Sequence, residues 1–270
     1  MTLRSMRRTR RSTALLLALL AIPAIGCDDA PTAPDALVVA AETGHALRIA
    51  AQLPTLPRLV ERVLAVDGAS GDGAIAARTP DTRSDLQQAR SLWIDAEATG
   101  PGREGAALRE AAYGLASPAL AAALGPDALL AVRDTLARWV RLADAAFGEL
   151  GLEGVSAAIA EGRARLDDAR ARLDEGDDVA AADAILRAAD RLRETTPGAV
   201  AGRLIREGER ALLRATPGAG SAGSPAADSL AIAHRRADRL LRKAREALAD
   251  GDDVRAIRRA FYAGQLLGIR

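Results

Sequence analysis

Few side chains in this 270-residue chain are of a kind that does covalent or metal chemistry: one cysteine, Cys27, and two histidines, His45 and His234. Glu42 and His45 stand three apart, the spacing at which a helix turns a carboxylate and an imidazole towards one metal ion. Such a site needs a second pair and further carboxylates, and the residue three before His234 is Ala231. Two turns are rich in carboxylates, Asp174-Glu175-Gly176-Asp177-Asp178 and Asp250-Gly251-Asp252-Asp253. They lack the alternating oxygen ligands and distal bidentate glutamate of a calcium loop, and read instead as helix caps. No Gly-x-Ser-x-Gly occurs, and no glycine-rich phosphate loop follows a strand. Nucleophile-and-base catalysis therefore has few possible players. No catalytic residue, metal or cofactor is assigned, and the chain is not expected to be an enzyme.

The elements that hold these residues are helices. Alanine makes up about a quarter of the chain, with leucine, arginine and acidic residues dominating the rest, while β-branched and aromatic residues are scarce. Summed propensity favours helix nearly everywhere outside the Pro/Gly clusters. The large aromatics are Trp93, Tyr113, Trp139, Phe147, Phe261 and Tyr262, so the expected core is thin and built from leucine and alanine, with helices close together. Lys243 is the sole lysine. An arginine load of this kind accompanies a GC-rich coding bias and does not by itself point to nucleic acid.

The N-terminus carries five arginines between Arg4 and Arg11, then an apolar run over Ala14–Ile25. That run is as long as the apolar centre of a signal peptide and too short to span a bilayer as a helix. It ends in Ala24-Ile25-Gly26-Cys27, which resembles the lipobox of bacterial lipoproteins. The resemblance implies cleavage before Cys27, lipid (palmitate) on that cysteine, and an extracytoplasmic protein held on the cell envelope, in the inner or outer membrane. Residues 1–26 are then a signal peptide, and the Pro-rich 27–35 a stiff tether. Without its five signal-peptide arginines the chain keeps 32 basic and 36 acidic side chains, net −4, an ordinary soluble balance.

Pro/Gly punctuation divides the remainder. Residues 36–66 form N-terminal helices interrupted near Pro54 and Pro57, 67–80 a linker, 81–215 a helical domain, 216–226 a second linker, and 227–270 a C-terminal helical hairpin. Helix starts are expected at Thr79-Pro80, Ser117-Pro118, Gly125-Pro126, Thr196-Pro197 and Thr216-Pro217, where proline is tolerated in the first turn. Leu86, Ala89, Trp93 and Ala96 share one helix face. Leu129, Val132, Leu136, Trp139, Val140, Ala143 and Phe147 share another, and Val155, Ile159, Gly162, Leu166, Ala169 and Leu173 form a seam.

An ungapped internal repeat aligns 169–192 with 244–267 at an offset of 75, with ten of 24 positions identical, among them Leu173/Leu248, Gly176/Gly251, Asp177/Asp252 and Val179/Val254. Each copy reads as a helical hairpin whose glycine ends one helix and whose aspartate opens the next. A poorer third copy is expected at Leu92–Leu115, turning at Gly102-Arg103-Glu104. The segment Gly251-Asp252, Ala256-Ile257 and Ala263 weakly resembles the second half of a tetratricopeptide repeat, which implies stacked hairpins but nothing about a ligand. The predicted fold is all-α, antiparallel helical hairpins in a bundle or short solenoid.

Charge is uneven: 228–270 is net +4, and 27–227 net −8. Arg235, Arg236, Arg239, Arg242 and Lys243 fall opposite the stripe Leu230, Ala233, Ala237, Leu241, Ala244 and Leu248, giving a basic amphipathic helix with His234 at its boundary. That face is a candidate for an anionic partner. The expected role is a membrane-anchored protein-interaction or scaffold module with an envelope protein as partner, bound to the membrane through Cys27 and not to nucleic acid. An alternative is a lipoprotein binding a small ligand or lipid in a cavity lined by Trp93, Tyr113, Trp139 and Phe147. An envelope hydrolase comes third.

Overall fold

The computed structural model describes residues 53, 55–66, 80–150, 152–214 and 225–269. The predicted signal peptide, Cys27, the tether, Glu42, His45 and most of the two predicted linkers lie outside them. Among the described residues the chain is all-helical, without strands. Eight helices follow one another: α1 Leu56–Val66, α2 Pro80–Thr99, α3 Arg103–Phe147, α4 Glu153–Glu175, α5 Asp178–Leu192, α6 Pro197–Arg214, α7 Pro225–Ala249 and α8 Asp253–Leu266. Short 3-10 turns at Gly148–Leu150 and Arg193–Thr195 follow α3 and α5.

Prolines open α2 and α6 as expected, since their missing N–H falls where a helix has no partner for it. Ser117-Pro118 does not start a helix, because α3 runs through it. Pro118 cannot supply the hydrogen bond to the preceding turn, while the Ser117 hydroxyl folds back to donate to the Tyr113 carbonyl at 2.8 Å. The surrounding positions Ala112, Tyr113, Ala116, Ala119 and Leu120 are all buried, so core packing carries the helix across its weak point. At Gly125 the backbone does break, with φ +70°, and α3 is two helices joined at a kink. By length and composition α3 can cross a bilayer, yet in this fold its Leu136, Trp139 and Ala143 are packed among other helices.

The predicted hairpin repeat is present in both copies. Gly176 and Gly251 sit at φ +78° and +76°, a left-handed conformation that glycine adopts without a Cβ penalty. The following amides close the turn identically: Asp177 N–H donates to the Arg172 carbonyl at 2.9 Å and Asp252 N–H to the Ala247 carbonyl at 2.8 Å. Each aspartate then caps the next helix, Asp177 accepting from the Ala180 amide and Asp252 from the Arg255 amide, both at 3.0 Å. In the expected third copy the turn comes earlier. Gly100 takes the left-handed conformation, while Gly102 is extended as the N-cap of α3, to which Arg103 and Glu104 already belong.

The 75-residue offset reaches further than the hairpin. Arg133 Nε donates to the Leu166 carbonyl at 3.1 Å, and at the equivalent positions Gly208 faces Leu241, so closely that a Cβ would lie 2.7 Å from its Cδ2. Residues 126–147 thus stand to α4 and α5 as α6 stands to α7 and α8, and the repeat is a three-helix unit. A shift of 73 residues relates Leu86, Ala89, Trp93 and Ala96 of α2 to Ile159, Gly162, Leu166 and Ala169 of α4, all buried. The first half of α3 packs on α2 as α5 packs on α4.

Two large apolar cores result, with two small clusters beside them in α6, α7 and α8. One joins α1, α2 and the first half of α3, with Leu186 of α5 entering it. The other runs from Leu129, Trp139 and Phe147 through α4 and α5 to Val200, Leu204, Ala244 and Ala260. The C-terminal hairpin therefore shares a core with the helices of 81–215. If the two aspartates are the caps that define each hairpin, Asp177→Ala and Asp252→Ala should each lower stability by about 1 kcal/mol. Urea unfolding checks this, and unchanged midpoints would show that packing alone sets the turns.

Candidate functional site

The best-defined polar constellation lies where α2, the first half of α3 and α5 meet. Trp93 and Glu97 come from α2, Arg109, Glu110 and Tyr113 from α3, and Asp183, Arg187 and Asp190 from α5, with Arg193 in the turn that follows. Helical spacing sets them in rows, because residues three and four apart share a face. The Arg193 guanidinium lies over the Trp93 ring, 4.6 Å from its centroid. Its two Nη groups donate to the two carboxylate oxygens of Glu97 at 3.1 and 2.7 Å, and one also reaches Asp190 at 3.3 Å. Arg187 repeats the pattern: it stands over Tyr113 at 5.1 Å, forks onto Glu110 at 2.7 and 2.8 Å, and donates through Nε to Asp183 at 2.7 Å.

The electrostatics of this seam favour holding over proton transfer. The hydrogen bond from Arg193 keeps the Glu97 carboxyl below the ordinary glutamate range against the opposing effect of burial. Arg187 does the same for Glu110. Burial, aided by the neighbouring Asp190 carboxylate, pushes the Tyr113 phenol upwards, so it stays neutral. Two carboxylates held ionised by arginines are weakened as bases, and a phenol held neutral is weakened as an acid. Each bidentate pair, half in solvent, contributes modestly, and each cation–π contact adds about 0.5–1 kcal/mol.

A second network ties α4, α5 and α6 together. Glu161 receives Arg165 at 2.8 Å and Arg191 at 2.7 Å. Arg191 also pairs with Glu194, which accepts from Arg203 at 2.9 Å. Arg203 lies across Gly154, at whose position a Cβ would collide with the guanidinium. The Trp139 indole donates to Thr195 at 2.8 Å, and Thr195 donates to the Leu192 carbonyl at 2.7 Å. Both polar groups are thereby satisfied inside the core.

The four aromatic residues predicted to line a cavity are brought together only in pairs. Trp93 and Tyr113 belong to the core around α1 and α2, Trp139 and Phe147 to the core around α4. Beside Trp93 and Tyr113 is a crevice walled by Leu56, Leu186, Asp190 and Arg193, too narrow for a water molecule. The wider opening is elsewhere: an open groove of about 570 Å³ at the end of α6, lined among the described residues by Glu207, Arg210, Leu213, Arg214 and Ile269. Leu213 is 78% exposed there. No three His, Cys, Asp or Glu side chains among the described residues are grouped to hold a metal ion.

The basic face of α7 forms as predicted, with Arg235, Arg236, Arg239 and Arg242 exposed and Lys243 half-buried. Arg242 reaches Asp238 at 3.4 Å. Arg235, Arg236 and Arg239 have no ion pair among the described residues. His234 is half-buried, its Nε2 enclosed without a hydrogen-bond partner among them, and takes the place that buried Ile159 holds in the preceding unit. The repeat supplies an internal comparison. At the positions of Arg235, Arg236, Arg239, Arg242 and Lys243, α4 carries Ala160, Glu161, Ala164, Asp167 and Asp168. The same fold is therefore built with three acids and two alanines where α7 has five cations.

Sequence reasoning missed the Arg187 and Arg193 seam. Its local half was visible, since Asp183-Arg187 and Asp190-Arg193 are spaced for pairing along one helix, but Glu97 and Glu110 come from far earlier in the chain. No protein-family model, curated protein or solved structure matches the chain, so its role has to be read from its own residues.

The seam carries a pH signature. Glu97 and Glu110 titrate lower folded than unfolded, so their contribution is complete above the ordinary glutamate value of about 4.3. It is lost as the pH falls through the lowered folded value. Arg193→Ala is expected to cost about 1 kcal/mol near neutral pH and to flatten the acid limb of a plot of unfolding midpoint against pH. An acid limb identical to that of the native protein would show that Glu97 is not held by Arg193.

Proposed function

We propose that this chain is a membrane-anchored extracytoplasmic lipoprotein that serves as a protein-interaction or scaffold module of the cell envelope. Support for the anchor comes from the basic and apolar N-terminus ending in Ala24-Ile25-Gly26-Cys27, with Cys27 as the lipid attachment point. Support for an interaction role comes from how the molecule uses its polar groups. The seams at Arg187, Arg193 and Glu161 spend their charges on one another, joining helices.

The observation that carries the reading is the open groove at the end of α6. Exposed Leu213 and half-buried Ile269 stand there beside Arg210, Arg214 and Glu207, apolar side chains ringed by charge, the make-up of a surface that accepts another polypeptide. Repeated helical units commonly present extended surfaces of this sort. The partner on this reading is an envelope protein, and nucleic acid has no part in it.

In-cell crosslinking followed by affinity isolation and mass spectrometry tests the proposal, comparing the native chain with Cys27→Ala and with Leu213→Glu. One envelope protein recovered in stoichiometric amount, reduced by either substitution, is the expected result. Recovery of a small molecule or lipid with no protein would contradict it.

A further inference from the structure

We propose that the basic face of α7 lies against an anionic phospholipid surface, so that the folded part is held down on the membrane by charge. The inference rests on the envelope location proposed above and adds a second contact, separate from the groove at α6. Three observations carry it.

First, Arg235, Arg236 and Arg239 are exposed and have no ion pair among the described residues, whereas most arginines of α4 and α5, from Arg163 to Arg191, are engaged. Arg138 and Arg141 of α3 also lack an ion pair among the described residues, but Arg235, Arg236 and Arg239 stand together with Arg242 on one helix face, a surface suited to an external anion. Phosphate esters fit, because a guanidinium fork matches two phosphate oxygens.

Second, the fold does not ask for them. The equivalent face of α4 has alanine or acid at all five positions and builds the same hairpin. The charge difference between the two faces is therefore a property of the C-terminal unit and not of its packing.

Third, an apolar side chain accompanies the cations. Ile232, one turn before Arg235 and Arg236 on the same face, is 45% exposed. A helix that shows arginines along one side with an exposed aliphatic residue among them suits the boundary between headgroups and acyl chains. The Cys27 anchor proposed above keeps the folded part beside a phosphate-bearing surface, which favours lipid over an acidic protein.

The test is side-chain footprinting of the full chain with an arginine-selective dicarbonyl reagent, read by mass spectrometry. Vesicles of phosphatidylcholine alone are compared with vesicles containing about a third phosphatidylglycerol. The proposal expects modification of Arg235, Arg236 and Arg239 to slow about threefold or more with the anionic vesicles only, while exposed Arg138 and Arg141 react at unchanged rates. Equal rates in both vesicles, or protection spread over Arg138 and Arg141 as well, would overturn it. Protection that arises only when an envelope protein extract is added would overturn it too, in favour of an acidic protein partner. Partner recovery through the α6 groove is a separate readout, so either reading can fail while the other stands.

Discussion

The structure depends on helices approaching closely through alanine. Ala89, Ala96, Ala112, Ala116, Ala158, Ala169, Ala181, Ala188, Ala244, Ala256 and Ala263 are buried at helix contacts, and Gly162 and Gly208 admit Leu192 and Leu241 where even a methyl group would collide. Small residues bring backbones together but remove little apolar area per residue from water. A fold made this way needs something more at its rims. Here it is arginine, whose long stem covers apolar surface while its head binds carboxylates.

That division explains where the charges stand. Arg193 over Trp93 and Arg187 over Tyr113 seal the edge of the core shared by α2, α3 and α5, and the Glu161, Arg191, Glu194 and Arg203 chain seals the edge between α4 and α6. An aromatic ring, a guanidinium and a carboxylate in sequence cover a gap that a larger aliphatic side chain would otherwise fill. The same groups that in another setting would suggest chemistry are here bound to one another across the joints.

Much of the fold was legible from local patterns. Gly-Asp-Asp encodes its turn completely, since the glycine conformation and the aspartate cap act within a few residues, and both hairpins form where the repeat placed them. Helix faces with regular spacing, such as Leu86 to Ala96 and Leu129 to Phe147, are buried as the period requires. Features decided by distant partners were not legible. Pro118 carries a start signal that neighbouring buried residues override. The three-helix extent of the repeat is hidden because residues 126–147 and α6 share position but not side chains, with Trp139 answering to Arg214. The Arg193 to Glu97 pair joins residues far apart in sequence. Of the candidate site residues, the α7 face was visible as a charge pattern, and the significance of its five cations came from comparison with α4.

The central claim is that the α7 arginines are an addition to the repeat and not part of what holds it together. The direct measurement is urea unfolding of a full chain carrying Arg235→Ala, Arg236→Glu and Arg239→Ala, which gives α7 the residues that α4 uses at those positions. Stability within about 0.5 kcal/mol of the native chain is predicted, the ordinary range for surface substitutions. A loss of about 2 kcal/mol or more would contradict the account and return these arginines to the fold.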